Sequence, residues 1–148
     1  MRLISQKGFT LVEMLLAAAI LSFAVCGILA LYANCFELVS ISKNISIATN
    51  ASQGLIEEIR NTPFPQIVDN YNNINFTVNT MPSNRGVVYV DDTDPELLRV
   101  TISVCWNQKN RIFGEDKNLN GVLDAGEDKN NNGIIDSPVQ IITLVANR

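Results

Sequence analysis

Residues 9–32 read FTLVEMLLAAAILSFAVCGILALY, and this stretch decides the fold of the chain. Glu13 is its only charged side chain. As a helix it would be about 36 Å long, whereas the apolar core of a bilayer is about 30 Å thick. Arg2 and Lys7 precede it and place the N-terminus in the cytoplasm by the positive-inside rule. The sequence therefore predicts one membrane-spanning segment at about 9–32, with the following residues on the far side.

Two other interpretations of this segment explain it less well. A secretory signal peptide has an apolar region of about 7–15 residues, much shorter than this one, and the nearest small-residue cleavage site, after Ala33, is a poor one. An uncleaved signal anchor accounts for the length and the flanking charges but not for Glu13. A carboxylate within an apolar span costs about 2–3 kcal/mol, so it normally has a partner.

The composition disfavours an enzyme. The 148-residue chain has a net charge of −4 and no histidine. Without histidine it lacks the commonest general base and the ligand of most zinc sites, and no nucleophile–base pair can be named. An acidic chain also lacks the basic surface by which proteins bind nucleic acids, so no nucleic-acid partner is expected.

Residues 7–13, KGFTLVE, resemble the class III signal of type IV prepilins and type II secretion pseudopilins. In that family a membrane peptidase cuts after the glycine and N-methylates the new first residue. The resemblance implies a leader peptide of residues 1–8, cleavage after Gly8, methylation of Phe9 and a role in assembly for Glu13. Glu13 would pair with the Phe9 amine of an adjacent subunit, and physical chemistry agrees, because a buried amine needs an anion nearby.

The resemblance also implies partners and a location. The partners are other pilin or pseudopilin subunits, the prepilin peptidase, the inner-membrane assembly platform and membrane lipid. The chain would be a single-pass inner-membrane protein with a cytoplasmic N-terminus and a periplasmic or extracellular head, which then enters a pilus or pseudopilus fibre. Prolines found within the anchor of many major pilins are missing here, which favours a minor subunit. Pilus, type II secretion and DNA uptake all stay open as the machine that it serves.

An apolar pattern continues beyond the membrane segment at spacings of three and four residues, as on one face of a helix. Its members are Leu38, Ile41, Ile45, Ala48, Ser52, Leu55 and Ile59. Pro63 and Pro65 end the pattern, so a single helix is predicted over 9–62. We expect its outer half to be covered by the head. A coiled-coil dimer is less favoured, because the flanking positions show no charge pattern.

Residues 63–148 are predicted to form a small antiparallel sheet packed on this helix, which makes the fold class α+β. About four strands alternate apolar and polar residues, at 74–79, 86–90, 98–106 and 139–145, with turns at 81–84 and 91–95. Trp106 is expected in the core. The helix exit and the strands look like those of V-type minor pilins and I-type pseudopilins. Cys26, Cys35 and Cys105 are expected to be buried small apolar residues, although pairing of Cys35 with Cys105 stays open.

An insert at about 115–137 resembles a calcium-binding loop of the EF-hand type. Positions 1, 3, 5, 7, 9 and 12 of the loop are Asp116, Asn118, Asn120, Val122, Asp124 and Glu127. In such loops alternate side chains supply oxygens, position 7 supplies its carbonyl, position 9 acts through water and position 12 supplies two oxygens. Gly121 at position 6 allows the sharp turn, and Leu123 at position 8 is the apolar anchor. One calcium ion is therefore predicted here.

A second copy follows directly, with the ligand positions Asp128, Asn130, Asn132, Ile134 and Asp136 and with Ile135 as anchor. Its twelfth position is Val139, which is not acidic. This loop either binds weakly, borrows a carboxylate from the first loop or does not bind. No helix separates the copies, so a paired EF-hand globule is excluded. The simpler alternative is a long polar hairpin with tight turns at Asn120-Gly121 and Asn132-Gly133.

Calcium is expected to have a structural role, because the insert is polar and lacks enough apolar surface to order itself. The function predicted is thus a minor pilin or pseudopilin with a calcium-stabilised head. The alternative is a membrane-anchored, calcium-stabilised extracytoplasmic binding protein that does not assemble.

Overall fold

A computed structural model of the chain describes residues 8–147. The predicted leader residues 1–7, which include Lys7 of the signal, lie outside the described residues. The chain forms two compact units that divide between Ser40 and Ile41. The elements are α1 (Leu11–Asn61), α2 (Phe64–Tyr71), β1 (Ile74–Phe76), β2 (Asn84–Asp94), β3 (Leu97–Gln108), β4 (Arg111–Phe113) and β5 (Val139–Ala146). The predicted α+β class, a long N-terminal helix with a small antiparallel sheet, is confirmed.

In the first unit, the described residues are helical from Leu11 onward. Their large apolar side chains are exposed in the single chain, for example Leu11 at 77% and Phe23 at 86%. The apolar side chains of this unit are therefore left for lipid or another protein to cover.

In the second unit, the C-terminal part of α1 packs on the sheet. Its buried residues are Ala48, Ser52, Ile56 and Ile59. The predicted stripe was partly wrong, because Leu38 and Ile45 are exposed and Ile56 is more deeply buried than Leu55. The helix face that meets the sheet therefore includes Ile56, which the apolar pattern omitted, beside Ala48, Ser52 and Ile59, which it included. Asn44, predicted on the polar side, lies part-buried and donates from Nδ2 to Gln108 Oε1 at 2.8 Å.

The short helix α2 was not predicted, since the two prolines were taken only as the end of α1. Pro63 lies at the N-cap position of α2, and Pro65 lies within its first two residues. Proline is well tolerated there, because its missing N–H would have no partner in the first turn. Ile67 of α2 is fully buried and packs with Ile59 of α1 and Val88 of β2.

All strand pairs are antiparallel. The sheet has the order β1-β2-β3-β4, and β5 also pairs with β3. Five strands are present among residues 8–147, one more than predicted, because the three-residue β4 is too short to show an alternating pattern. β1 ends at Phe76, earlier than expected, whereas β2 extends through the predicted turn at 91–95 as far as Asp94.

The two faces of the sheet are covered by different parts of the second unit. Leu98, Val100, Ile102, Val104 and Trp106 are buried on the face that packs against the helices, as the alternation of β3 predicted. The opposite face carries the insert. Val87 of β2, Cys105 of β3 and Ile135 of the insert form a buried cluster, joined by Tyr89, Leu119 and Leu123. The insert therefore has apolar anchors on the sheet, and they include Leu123 and Ile135, the anchors predicted for the two loops.

All three cysteines are free. Cys105 is buried, as expected for a small apolar residue. Cys26 and Cys35 are exposed in the single chain, like the apolar side chains around them in the first unit.

Candidate functional site

The first turn of α1 contains Glu13, the predicted assembly residue. One carboxylate oxygen, Oε2, accepts from the main-chain N–H and from the hydroxyl of Thr10, both at 2.9 Å. The main-chain N–H of Glu13 donates in return to Thr10 Oγ1 at 3.3 Å. This reciprocal pair is a capping box, which satisfies main-chain donors at a helix N-terminus. Within its own chain Glu13 therefore holds the start of the helix.

Gly8 and Phe9, the predicted cleavage and methylation residues, lie just before α1 and are exposed. Phe9 is 83% exposed. α1 is long and apolar enough to cross a membrane, and its most apolar window is not buried within the chain. The peptide bond between Gly8 and Phe9 thus lies in a segment without regular secondary structure, in front of a candidate membrane helix.

The first loop of the insert is organised around Asp116, which is fully buried. Its Oδ1 accepts from the N–H of Asn120 at 3.1 Å, and its Oδ2 accepts from the N–H of Gly121 at 2.8 Å. Gly121 has a φ of 78°, the left-handed region that favours glycine. The residues predicted for positions 1, 5 and 6 are thus brought together.

The side chains predicted for positions 3, 5 and 9 also meet. Asp124 Oδ2 accepts from Nδ2 of Asn118 at 2.8 Å and from Nδ2 of Asn120 at 2.9 Å. The amide oxygen of Asn118 accepts from Asn120 N–H, and that of Asn120 accepts from Val122 N–H. The next predicted ligand is Val122, which would bind through its main-chain carbonyl, and its side chain is exposed.

Glu127 closes the first loop. It is 4% exposed, and its two oxygens accept from the N–H groups of Lys117 and Asp124 at 2.8 and 3.1 Å. The carboxylate at position 12 thereby ties positions 2 and 9 together. Glu127 and Asp116 are the two acidic residues of the first loop that are buried.

The second loop repeats these contacts. Asp128 accepts from the N–H groups of Asn132 and Gly133 at 3.1 and 2.9 Å. Asp136 Oδ2 accepts from Nδ2 of Asn130 at 2.6 Å and from Nδ2 of Asn132 at 3.0 Å. The main chain matches too, since Leu119 and Asn131, at position 4 of each loop, both have a φ of 56°. The N–H of Ile134 donates to the amide oxygen of Asn132 at 3.0 Å.

Glu115 was not among the predicted site residues. It is 7% exposed, and its oxygens accept from the N–H groups of Lys129 and Asp136, in the second loop, at 3.1 and 3.2 Å. Its own N–H donates to the carbonyl of Asp136 at 2.8 Å. The available signal was the repeated pair Glu-Asp, at Glu115-Asp116 and again at Glu127-Asp128.

Hydrogen bonds from the sheet fix the position of the insert. Arg85 Nε donates to the carbonyl of Leu119 at 3.1 Å, and Tyr89 Oη accepts from the N–H of Ile135 at 3.1 Å. Burial raises the pKa of Tyr89 above its ordinary value, and the N–H of Ile135 acts in the opposite direction. Ser137 Oγ donates to the carbonyl of Val104 in β3. The loops are therefore held on the sheet by polar as well as apolar contacts.

The donor set of both loops consists of carboxylate, amide and carbonyl oxygens, the ligands that calcium prefers. Within the described range 8–147, no three His, Cys, Asp or Glu side chains are arranged as a ready metal-binding group. The spacing and the residue types fit calcium. However, the amide groups of Asn118 and Asn120 direct their nitrogens at Asp124, so the side chains would have to rearrange around an ion.

Comparison with known proteins gives a match for the N-terminal segment alone. Residues 4–31 match the prokaryotic N-terminal methylation motif. No curated protein and no solved structure matches the chain. The motif supports a type IV pilin-like family, with a candidate membrane anchor in α1.

Proposed function

We propose that the chain is a minor pilin or pseudopilin, a structural subunit of a type IV pilus or a type II secretion-like fibre. The methylation motif at residues 4–31 is the observation that supports this most strongly. It covers the start of an apolar helix whose side chains are exposed in the single chain, and that helix leads into a small α+β domain. Prepilin peptidase would process the chain, and the inner-membrane assembly platform would insert it among other pilin subunits.

Mass spectrometry of the N-terminus tests processing. In membrane and fibre fractions we expect a chain that starts at an N-methylated Phe9. An intact leader would instead identify a membrane-anchored binding protein that does not assemble. A chain cut after Ala33 would contradict assembly as well, because it would have lost the membrane segment.

Assembly should depend on the charge of Glu13 and not on its capping role. Glu13→Gln removes the charge, but glutamine at this position still completes a capping box with Thr10. Thr10→Ala removes the cap and keeps the carboxylate. We expect the glutamine variant to be lost from fibres and the alanine variant to be retained, as followed by immunoblotting of sheared fibres. Equal retention of both variants in fibres would mean that Glu13 acts only as a helix cap.

We further propose that calcium stabilises the head by binding in the insert, with Asp116, Asn118, Asn120, Val122, Asp124 and Glu127 as the ligands of the first site. Support comes from the spacing of these residues and from the burial of Asp116 and Glu127. A buried carboxylate is unstable unless it is paired with a cation or fully hydrogen bonded.

Thermal unfolding of the full chain in detergent tests this role. For a dissociation constant of about 10⁻⁴–10⁻³ M, about 10 mM calcium adds roughly 1.4–2.7 kcal/mol to the free energy of unfolding. This corresponds to an increase in Tm of about 3–10 °C. Asp116→Asn should abolish the increase, and Asp69→Asn, on the exposed surface of α2, should leave it unchanged. A wild-type Tm that is the same in calcium and in chelator would rule out the calcium proposal.

A further inference from the structure

The second loop lacks an acidic residue where the first loop has Glu127. Its twelfth position, Val139, is the first residue of β5, pairs with Val104 of β3 and is 4% exposed. Its apolar side chain lies in the cluster with Ala48 and Trp106. Val139 therefore belongs to the core on the helix side of the sheet, and the residue that closes the second loop must come from elsewhere.

The first loop defines what a closing carboxylate does. Glu127 accepts from the N–H groups of the second and ninth loop residues, Lys117 and Asp124. The corresponding residues of the second loop are Lys129 and Asp136. Glu115 accepts from both of their N–H groups, at 3.1 and 3.2 Å. Glu115 thus has the same relation to the second loop that Glu127 has to the first.

The carboxylates of Glu115 and Glu127 are buried without a basic side chain to balance their charge, in the part of the chain that the structure describes. Glu115 and Glu127 are 7% and 4% exposed. Neither forms an ion pair with a lysine or arginine in the part of the chain that the structure describes. The ammonium group of nearby Lys117 instead donates to the carbonyl of Gly126 at 2.8 Å. Main-chain N–H groups offset only part of the cost of burying a full negative charge, and a metal ion is the usual alternative to a basic side chain.

We propose that Glu115 is the twelfth ligand of the second loop, so that the insert binds two calcium ions. The second ion would be held by Asp128, Asn130, Asn132, the carbonyl of Ile134, Asp136 and Glu115. This inference rests on the proposed binding of calcium to the first loop. It assigns to Glu115 a role that the linear motif does not give it, since the residue precedes the first loop and acts on the second.

Calcium stoichiometry tests the proposal, measured by isothermal titration calorimetry on the full chain in detergent. We expect two ions for the wild type and one for Glu115→Gln, whose second-site affinity falls about 10–100-fold or more. The matched control is Glu96→Gln in the exposed turn between β2 and β3, which should still bind two ions. Fluorescence of the fully buried Trp106 reports whether each variant is folded.

A double variant distinguishes a ligand from a structural support. In an Asp128→Asn background, where the second site is already lost, Glu115→Gln should cause no further loss of calcium binding. If Glu115→Gln alone removes both ions, or removes an additional ion in that background, the assignment to the second loop is overturned.

The number of ions also separates this proposal from the one on which it rests. One ion in the wild type and one in Glu115→Gln would overturn the role of Glu115 and leave calcium binding by the first loop intact. No ion in the wild type would overturn both.

Discussion

At the scale of single residues, the ring of Phe76 packs so closely on Gly86 that position 86 has no room for a larger side chain. The two residues are paired in register between β1 and β2, and the ring of Phe76 occupies the space that a side chain at position 86 would need. Gly86→Ala should therefore lower the free energy of unfolding by about 1–3 kcal/mol, the usual range for overpacking. Denaturant unfolding of the full chain in detergent measures the change.

Gly54 provides the matched control. It lies within α1, and a methyl group there would meet nothing within 4 Å. Because alanine is the better helix former, Gly54→Ala should raise the free energy of unfolding by about 0.5–1 kcal/mol. Equal effects of the two substitutions would mean that the Phe76 ring does not restrict position 86.

The thiol of Cys105 gives stability a dependence on pH. Burial raises the pKa of this thiol from 9.0 to about 11. The folded protein therefore holds the proton more tightly than the unfolded chain does. The contribution is complete below about pH 9 and is lost as the pH rises toward about 11. The difference in free energy of unfolding between the wild type and Cys105→Ala should shrink over this range. Val87→Ala, which alters the same cluster without a titrating group, should differ from the wild type by a constant amount.

At the scale of elements, the insert is expected to depend on its apolar anchors as well as on calcium. Ile135 is 1% exposed and packs on Val87 and Cys105. Ile135→Ala should lower the free energy of unfolding by about 2–5 kcal/mol even in chelator, as for other large-to-small core substitutions. Val122, which is 55% exposed in the other loop, supplies the control, since Val122→Ala removes little buried surface. Little effect of Ile135→Ala in chelator would mean that the insert leaves the sheet without calcium.

Elements with a long repeating pattern could be predicted from the sequence. β3 alternates over 98–106, and the residues of its predicted face, from Leu98 to Trp106, are buried. α2 and β4 could not, because eight and three residues are too few for a periodic signal. Glu115 was missed for a different reason. A loop template starts at its first ligand, whereas this carboxylate reaches its partners through the fold, 14 and 21 residues along the chain.

At the scale of the whole molecule, the division into two units predicts which part folds alone. The buried core residues among the described positions all lie at Ala48 or beyond, within the unit that begins at Ile41. A fragment of residues 41–148 should therefore be soluble without detergent and should unfold cooperatively in calorimetry. A fragment that starts at Gly54 loses Ala48 and Ser52, and should be markedly less stable. Failure of the longer fragment to fold would show that the head needs the preceding helix.

The exchange between Glu115 and Glu127 also limits how the insert can evolve. Each glutamate begins one copy of a repeated segment and closes the loop of the other copy. Each copy thus supplies the carboxylate that the loop of the other copy needs. A single copy would have no second glutamate to close its loop. Insertions and deletions are normally well tolerated in surface loops. Here we expect the loss of either copy to leave the remaining loop without its closing carboxylate.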